Sequence, residues 1–343
     1  MPTAVLFYIR SEDVDNAVIE IAENIGVPVS KLYMLSNNHI TRKKRKGVKY
    51  SNYHTVIIHR GRGHRNRTIH IPNDFLKFVQ RRILDSYLYL LEVSDYSTAY
   101  SKGSSLLDNA SPHIGKECIL KLDISHFFDS IDDDMVYIVM KQLRFSVPAT
   151  SLLTNICTYN GQLPQGAPTS PYIANLVMKH FDEKIGQWCK ERNITYTRYC
   201  DDMTFSGNKA DIRRVHIVRK VKSMLHRMGF ALNDNKTVYI TSSQQQRVTG
   251  VVVNEKATLS RSQRRAIRQE VYYCQKYGVK ESLQRKGLDI SPDRYLHSLL
   301  GRISFALQID PDNIEMKGYF DTVKNLMNNC ATPNGTISTK NHL

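Results

Sequence analysis

Three aspartates have the types and spacing to do chemistry. Asp123 falls near the end of the apolar run Cys118 to Ile124, and Asp201 and Asp202 sit side by side in the β-rich stretch Tyr196 to Phe205, about eighty residues further on. If the first stretch is one strand and the second is two strands around a tight turn, the three carboxylates can converge at one sheet edge. Carboxylates so placed can hold two hard divalent ions about 3.5 to 4 Å apart, one activating an attacking hydroxyl and the other neutralising a leaving pyrophosphate. That is the chemistry of nucleotidyl transfer. An Asp-Asp pair alone is ordinary solvated turn chemistry, so the surrounding elements must decide.

Those elements read as an α+β chain. Val14 to Leu35 has apolar residues at helical spacing broken by Ile25-Gly26-Val27-Pro28, which predicts a helix, a turn and a second short helix. The basic run Arg42 to Lys46 leads into Tyr53 to Ile58, a turn rich in Gly and Arg, and Thr68 to Ile71, a hairpin with a cationic tip. Phe75 to Leu91 has helical periodicity, and Met135 to Cys189 reads as a helix-loop-helix stretch interrupted at Gly161 to Pro171. Beyond Val253 the composition turns helical and basic, so a boundary is expected near Asn254 to Ala257, and Asn328 to Leu343 is a polar tail. The expected division is residues 1–52 as a helical and basic lead, 53–253 as the main domain, and 254–343 as a basic helical domain.

Composition narrows the partners. The chain has 343 residues and a formal net charge of +16, which favours a polyanion, nucleic acid before an anionic membrane surface. No apolar run approaches the roughly 18 to 20 residues that span a bilayer, and Ala4 to Ile9 lacks a basic lead. A cytoplasmic protein with no membrane partner is expected. The six cysteines (Cys118, Cys157, Cys189, Cys200, Cys274 and Cys330) are scattered and read as reduced thiols. Arg261, Arg264, Arg265 and Arg268 fall at spacings of three, one and three, so they share a helical face suited to an RNA backbone or simply to water. Tyr272, Tyr273 and Tyr277 add aromatic surface for unpaired bases or for the core.

Tyr199-Cys200-Asp201-Asp202 resembles the Tyr-x-Asp-Asp box of reverse transcriptases, and other landmarks occur in that family's order. Asp123 in Lys121-Leu122-Asp123-Ile124-Ser125-His126-Phe127-Phe128 is similar to the family's first metal aspartate. Leu163-Pro164-Gln165-Gly166-Ala167-Pro168 is similar to its Pro-Gln-Gly segment, and Gly229-Phe230-Ala231-Leu232-Asn233 with Lys236 resembles the following palm motif. Two further segments resemble signatures of the retron branch: Asn109-Ala110-Ser111-Pro112-His113 its Asn-Ala-x-x-His, and Val248-Thr249-Gly250 its Val-Thr-Gly. Cys200 departs from the alanine common in bacterial relatives, a small change.

The resemblance implies a right-hand polymerase of fingers, palm with an antiparallel sheet, and helical thumb. It implies Asp123, Asp201 and Asp202 as catalytic ligands of two Mg2+ ions. The incoming dNTP would be held by Arg65 and Arg67 on the hairpin, where Arg60 and Arg62 also lie, and by Phe128, Gln165 and Lys236. Phe128 would pack on the sugar and exclude a 2'-hydroxyl; packing of Phe127 and Phe128 into the core is the plain alternative. RNA would be met by Asn109, His113, Val248, Thr249, Gly250 and the four arginines. The retron branch further implies a cognate noncoding RNA as template and primer, a branched RNA-linked single-stranded DNA product (msDNA), an effector or toxin partner, a role in antiphage defence, and template removal by a host ribonuclease H. Rival readings are a mobile-element or abortive-infection reverse transcriptase, and an RNA-binding scaffold that restrains a toxin.

Overall fold

A computed structural model describes residues 15–37, 42–43, 49–59, 67–214 and 216–331, with backbone alone at 42–43, 49–50, 67, 213–214 and 329–331. The helical lead forms where its apolar spacing predicts, as Asn16–Ile25 and Val29–Ser36. Asp15 caps the first helix by accepting from Ala17 N, and Gly26 ends it at φ 69°, a left-handed conformation that costs glycine little. Val18, Ile21, Leu32 and Leu35 are fully buried, so this lead is part of a larger core rather than an appendage.

Two compact units divide the described chain: residues 15–105 with 118–239, and residues 106–117 with 240–331. The division after Tyr239 comes earlier than the composition shift at Asn254 to Ala257, and residues 106–117 group with the later unit. Composition cannot register that grouping, because it arises from hydrogen bonds between distant segments such as Gly115 N to Val253 O at 3.0 Å.

In the first unit, the predicted hairpin pairs Tyr53–Ile58 antiparallel with Arg67–Pro72, Ile58 opposite Arg67. The helix Asp74–Ser86 follows, capped by Asn73, whose Oδ1 accepts from Leu76 N at 2.9 Å. The central sheet orders Thr195–Tyr199, Asp202–Gly207, Cys118–Ser125 and Ala231–Leu232 with antiparallel neighbours. Cys118–Ser125 is buried at six of its eight positions, so it is a core strand covered on both faces rather than a half-exposed one.

The Met135 to Cys189 stretch contains one break more than its periodicity predicts. Asp133–Lys141 and Val147–Cys157 are separate helices before Ser170–Lys190. Arg144 takes φ 60° between them, and Ser146 caps the new helix by accepting from Ala149 N at 3.3 Å. Pro148 explains the restart: lacking an N–H, proline suits a first helical turn and disrupts an interior. Ser170–Lys190 packs against Thr195–Tyr199, with Phe181 and Ile185 buried beside Tyr196 and Phe205 in the core. Each such large apolar side chain contributes roughly 1.5 to 3 kcal/mol on burial.

The second unit holds the two-stranded hairpin Arg247–Val248 with Val251–Val252 and the helices Arg261–Tyr277, Val279–Arg285, Pro292–Ile309 and Ile314–Ala331. Ser260 and Gln263 form a capping box at the first of these. The last helix runs into the stretch read as a polar tail, and residues 332–343 lie outside the described residues. Among the described residues no helix is long and apolar enough to cross a membrane. Five cysteines are free and buried; the side chain of Cys330 lies outside the description.

Candidate active site and nucleic-acid interface

Backbone pairing brings the three aspartates together. Asp123 lies directly opposite Asp202 in the ladder between Cys118–Ser125 and Asp202–Gly207, so both side chains leave the same face of the sheet. Ile124 N donates to Asp201 O at 3.0 Å, tying the turn to the Asp123 strand. Asp123 is buried, its Oδ1 accepting from Asn233 Nδ2 at 3.2 Å and its Oδ2 from Lys236 Nζ at 2.6 Å. Loss of water around the Asp202 carboxyl raises it above the usual carboxylate range. Asp201 and then Asp123 push the same way, against Lys121 and Lys236.

Among the described residues no three His, Cys, Asp or Glu side chains form a ready cage for an ion. At Asp123, Asn233 and Lys236 take both oxygens. The donor set nonetheless suits hard divalent cations: three carboxylates gathered against their mutual repulsion, with an ammonium already drawn onto one of them. Lys236 is in turn held above its ordinary value, first by its hydrogen bond to Asp123.

The other expected nucleotide contacts divide. Gln165 is half-buried and its Nε2 donates to Asp129 Oδ1 at 3.4 Å. Gly166 leaves no room for a side chain, since a Cβ there would lie 2.4 Å from His70 O on the hairpin. Phe127 and Phe128 are both buried, with ring centroids 5.5 Å apart, and Phe127 also packs on Phe230. Arg60, Arg62 and Arg65 lie outside the described residues, as does the Arg67 side chain.

In the second unit the two retron-like signatures meet. Asn109 Nδ2 donates to Thr249 Oγ1 at 3.4 Å, although the residues are 140 apart in sequence. Thr249 and Gly250 form the hairpin tip with φ of 45° and 87°, the positive values that a two-residue hairpin turn demands. Asn109, His113 and Val248, expected to meet RNA, are buried. Asn109 and Val248 support the tip, where Thr249 is half-buried and Gly250 exposed. Burial, with Lys116 nearby, pushes the His113 imidazole down to about 3, so it is neutral at physiological pH.

The four arginines do share the helix Arg261–Tyr277, but they are not equivalent. Arg261 and Arg265 are exposed, Arg264 is half-buried, and Arg268 Nε pairs with Glu315 Oε1 at 3.2 Å. Tyr272, Tyr273 and Tyr277 form a run of ring contacts at 5.9 and 5.8 Å, and Lys276 and Arg285 cover the Tyr277 ring. Sequence reasoning missed Asn233, whose position inside the palm motif could have flagged it. It also missed Arg198 and Asp182, a fully buried ion pair behind the aspartate turn. Their signal was faint: an aspartate among apolar helix positions and an arginine within a strand.

Residues 60–253 match the family model described as reverse transcriptase (RNA-dependent DNA polymerase). With the mixed helix and sheet of the polymerase fold, this defines the class, an RNA-directed DNA polymerase. Retron Ec83 reverse transcriptase from Escherichia coli is 34% identical over 278 residues, covering 76% of this chain and 85% of that protein. Retron Ec86 reverse transcriptase, also from Escherichia coli, is 36% identical over 220 residues, covering 64% and 68%. The chain belongs to the retron reverse transcriptase family. Among solved structures, telomerase from Candida albicans in complex with a fragment of telomeric RNA is similar at TM-score 0.44 and 11% identity, covering 80% of this chain and 63% of that one.

Proposed function

We propose that the enzyme copies part of a cognate noncoding RNA into branched, RNA-linked single-stranded DNA, with Asp123, Asp201 and Asp202 as its catalytic carboxylates. The observation that carries this is the register of Asp123 opposite Asp202 with Asp201 tied alongside. Asp123, Asp201 and Asp202 would hold two Mg2+ ions, which when bound would supply activation of the attacking hydroxyl and neutralisation of the pyrophosphate. Lys236 turns from Asp123 toward the triphosphate, and Arg65 and Arg67 grip its oxygens with guanidinium forks. Gln165 orients template and nucleotide, Gly166 lets the backbone come close, and the Phe128 ring meets the sugar and disfavours a 2'-hydroxyl. The tip Thr249-Gly250, supported by Asn109 and Val248, and the helix bearing Arg261, Arg264, Arg265 and Arg268 receive RNA. The signature contact between Asn109 and Thr249 supports the retron-specific part.

In this reading the complex joins an effector or toxin protein in antiphage defence, in the cytoplasm, and a host ribonuclease H removes copied template. The test is to sequence and debranch nucleic acid that copurifies with the chain expressed beside its native flanking DNA. Single-stranded DNA joined to RNA at a 2'-position is the expected product; DNA without an RNA branch would overturn the retron-specific reading and leave the polymerase intact.

A further inference from the structure

We propose that Arg198 is a positioning residue for polymerisation: its buried guanidinium, anchored on Asp182, holds the Cys200 carbonyl and so fixes the turn that presents Asp201 and Asp202. This rests on the reading of those aspartates as catalytic. Arg198 and Asp182 have no exposed side-chain surface, and a buried charge is strongly unfavourable unless it is paired and fully hydrogen-bonded. Here every guanidinium donor is used. Nε donates to Asp182 Oδ1 at 2.9 Å, and Nη2 to Asp182 Oδ2 at 2.5 Å and Ser97 Oγ at 3.2 Å. Nη1 donates to Asn175 Oδ1 at 3.2 Å and to Cys200 O at 2.8 Å. Burial works against the charge, and Asp182 outweighs it, holding Arg198 above its ordinary value.

The scaffold side of this network is rigid. Asp182 and Asn175 lie seven residues apart on Ser170–Lys190, two helical turns and therefore one face. Asn175 Nδ2 donates to Ala99 O at 2.7 Å, and Tyr196 Oη donates to Asp182 Oδ1 at 2.8 Å. The Arg198 backbone is fixed as well, its N–H donating to Tyr96 O at 2.7 Å and its carbonyl accepting from Thr98 N at 2.9 Å. One donor remains for the turn, and it reaches the residue that needs holding. Cys200 is the first loop residue of a two-residue hairpin and takes φ 59°, where a glycine would normally sit. A non-glycine residue is disfavoured there, so the turn persists because its surroundings impose it. Lysine could not replace this fork: an ammonium has three donors, and five are engaged here.

The decisive variants are Arg198→Met combined with Asp182→Asn, which removes both charges and leaves no unpaired ion, and Arg198→Lys. Each is assayed as the full chain on an oligo(dT) primer annealed to poly(rA), with thermal unfolding and Mn2+ binding by electron paramagnetic resonance as further readouts. For the folded variants we expect KM for dTTP within about threefold of the parent and kcat lower by about 100-fold, the scale of an ångström-level misplacement. Mn2+ affinity should weaken about tenfold in the same variants. Adding Cys200→Gly to Arg198→Lys should recover several-fold of the lost kcat, because glycine adopts the positive φ unaided; a role in core stability alone would not give that rescue. Should the double variant fail to fold, Arg198→Lys with and without Cys200→Gly decides. Parent kcat in a folded variant, or no rescue by Cys200→Gly, overturns the positioning role. Asp201→Asn, run in parallel, separates the two ideas: activity surviving there removes the catalytic reading itself, whereas its loss beside an unimpaired Arg198 variant removes only the inference.

Discussion

The aspartate edge and the basic helix both concentrate like charge, and they handle it in opposite ways. At the edge, the strand register holds Asp123 opposite Asp202 whatever their repulsion, and loss of water first, then Asp201 and Asp123, raises the Asp202 carboxyl. Lys236 and Asn233, both from the same short segment, donate to Asp123. On the helix Arg261–Tyr277 the charge is partly spent inside the unit. Arg268 pairs with Glu315, and Arg264 lies near enough to Asp310 to help hold that carboxyl below its ordinary value, after Lys256 and Asn313. A cluster fixed by backbone hydrogen bonds keeps its charge available for a counter-ion; one on an exposed helix face shares it with neighbours.

The comparison breaks first at the edge. Asp201→Asn removes one charge with little change in size, so DNA synthesis should fall by about 10³-fold or more, as when one member of a catalytic unit is lost. Thermal unfolding and RNA binding should stay near the parent. Synthesis at close to the parental rate, measured by primer extension, would mean that the carboxylates converge for some other reason.

The second unit has its own buried charge, and there the effect is on stability. Glu270 accepts from Arg302 at both carboxylate oxygens, pairs with Lys286 at 2.9 Å and receives the Tyr295 hydroxyl at 3.1 Å. Burial pushes Glu270 up, but Arg302 and Lys286 prevail and bring it down to about 2 from its usual 4.5. A depressed carboxylate stabilises the fold fully above the unfolded value and loses that contribution as pH falls through the folded one. The difference caps the contribution near 3 kcal/mol, and solvent screening of the partly exposed Arg302 and Lys286 brings it to about 1 to 2 kcal/mol. Glu270→Gln should therefore lower stability by roughly that amount at pH 7, with the gap between variant and parent closing between pH 4.5 and 2. Denaturant titration across that range measures it, and a pH-independent gap would show that packing, not charge, was lost.

Phe128→Ala is of similar size. If the ring meets the sugar, discrimination against ribonucleotides should fall by on the order of 10 to 100-fold. Its contact with Phe127 and its burial predict some loss of stability as well. Unchanged discrimination in a destabilised variant would assign Phe128 to the core alone.

What could be read in the sequence follows the range of the forces involved. Short-range patterning sufficed for the hairpin Tyr53–Ile58 with Arg67–Pro72 and for the strands that carry Asp123 and Asp202. The break at Arg144 to Ser146 was hidden because the apolar spacing continues across it, and only Pro148 hinted at a restart. The signature residues Asn109 and Thr249 were legible as motifs, but their contact and the burial of His113 arise from packing between distant segments. The Arg198–Asp182 pair was likewise invisible, since helix and strand periodicity record apolar faces and say nothing of which buried charges meet. Glu315 and Asp310 were missed as partners of the arginines for the same reason, lying more than forty residues further along the chain.

That last point turns the four arginines from one cluster into two pairs, and the smallest expected effect tests the division. Arg261 and Arg265 are exposed, whereas Arg264 is half-buried and Arg268 is engaged with Glu315. If the exposed pair meets RNA phosphates, Arg261→Gln with Arg265→Gln should flatten the log-log salt dependence of RNA binding by about 0.7 to 0.9 per contact. Helix formation should survive, because glutamine is nearly as good a helix former as arginine. Arg264→Gln with Arg268→Gln should change the slope less and stability slightly more, since an exposed ion pair such as Arg268 with Glu315 contributes only about 0.2 to 1 kcal/mol. Synthesis primed on the cognate RNA should drop in the first variant, while extension of a preformed primer and template at saturating concentration persists, because the aspartates are untouched. Equal slopes for the two variants would show that Glu315 and Asp310 release their partners when RNA arrives, and the basic helix would then behave as a single four-charge surface. No change in slope for either would leave the arginines with solvent and move RNA binding in this unit to the Thr249-Gly250 tip.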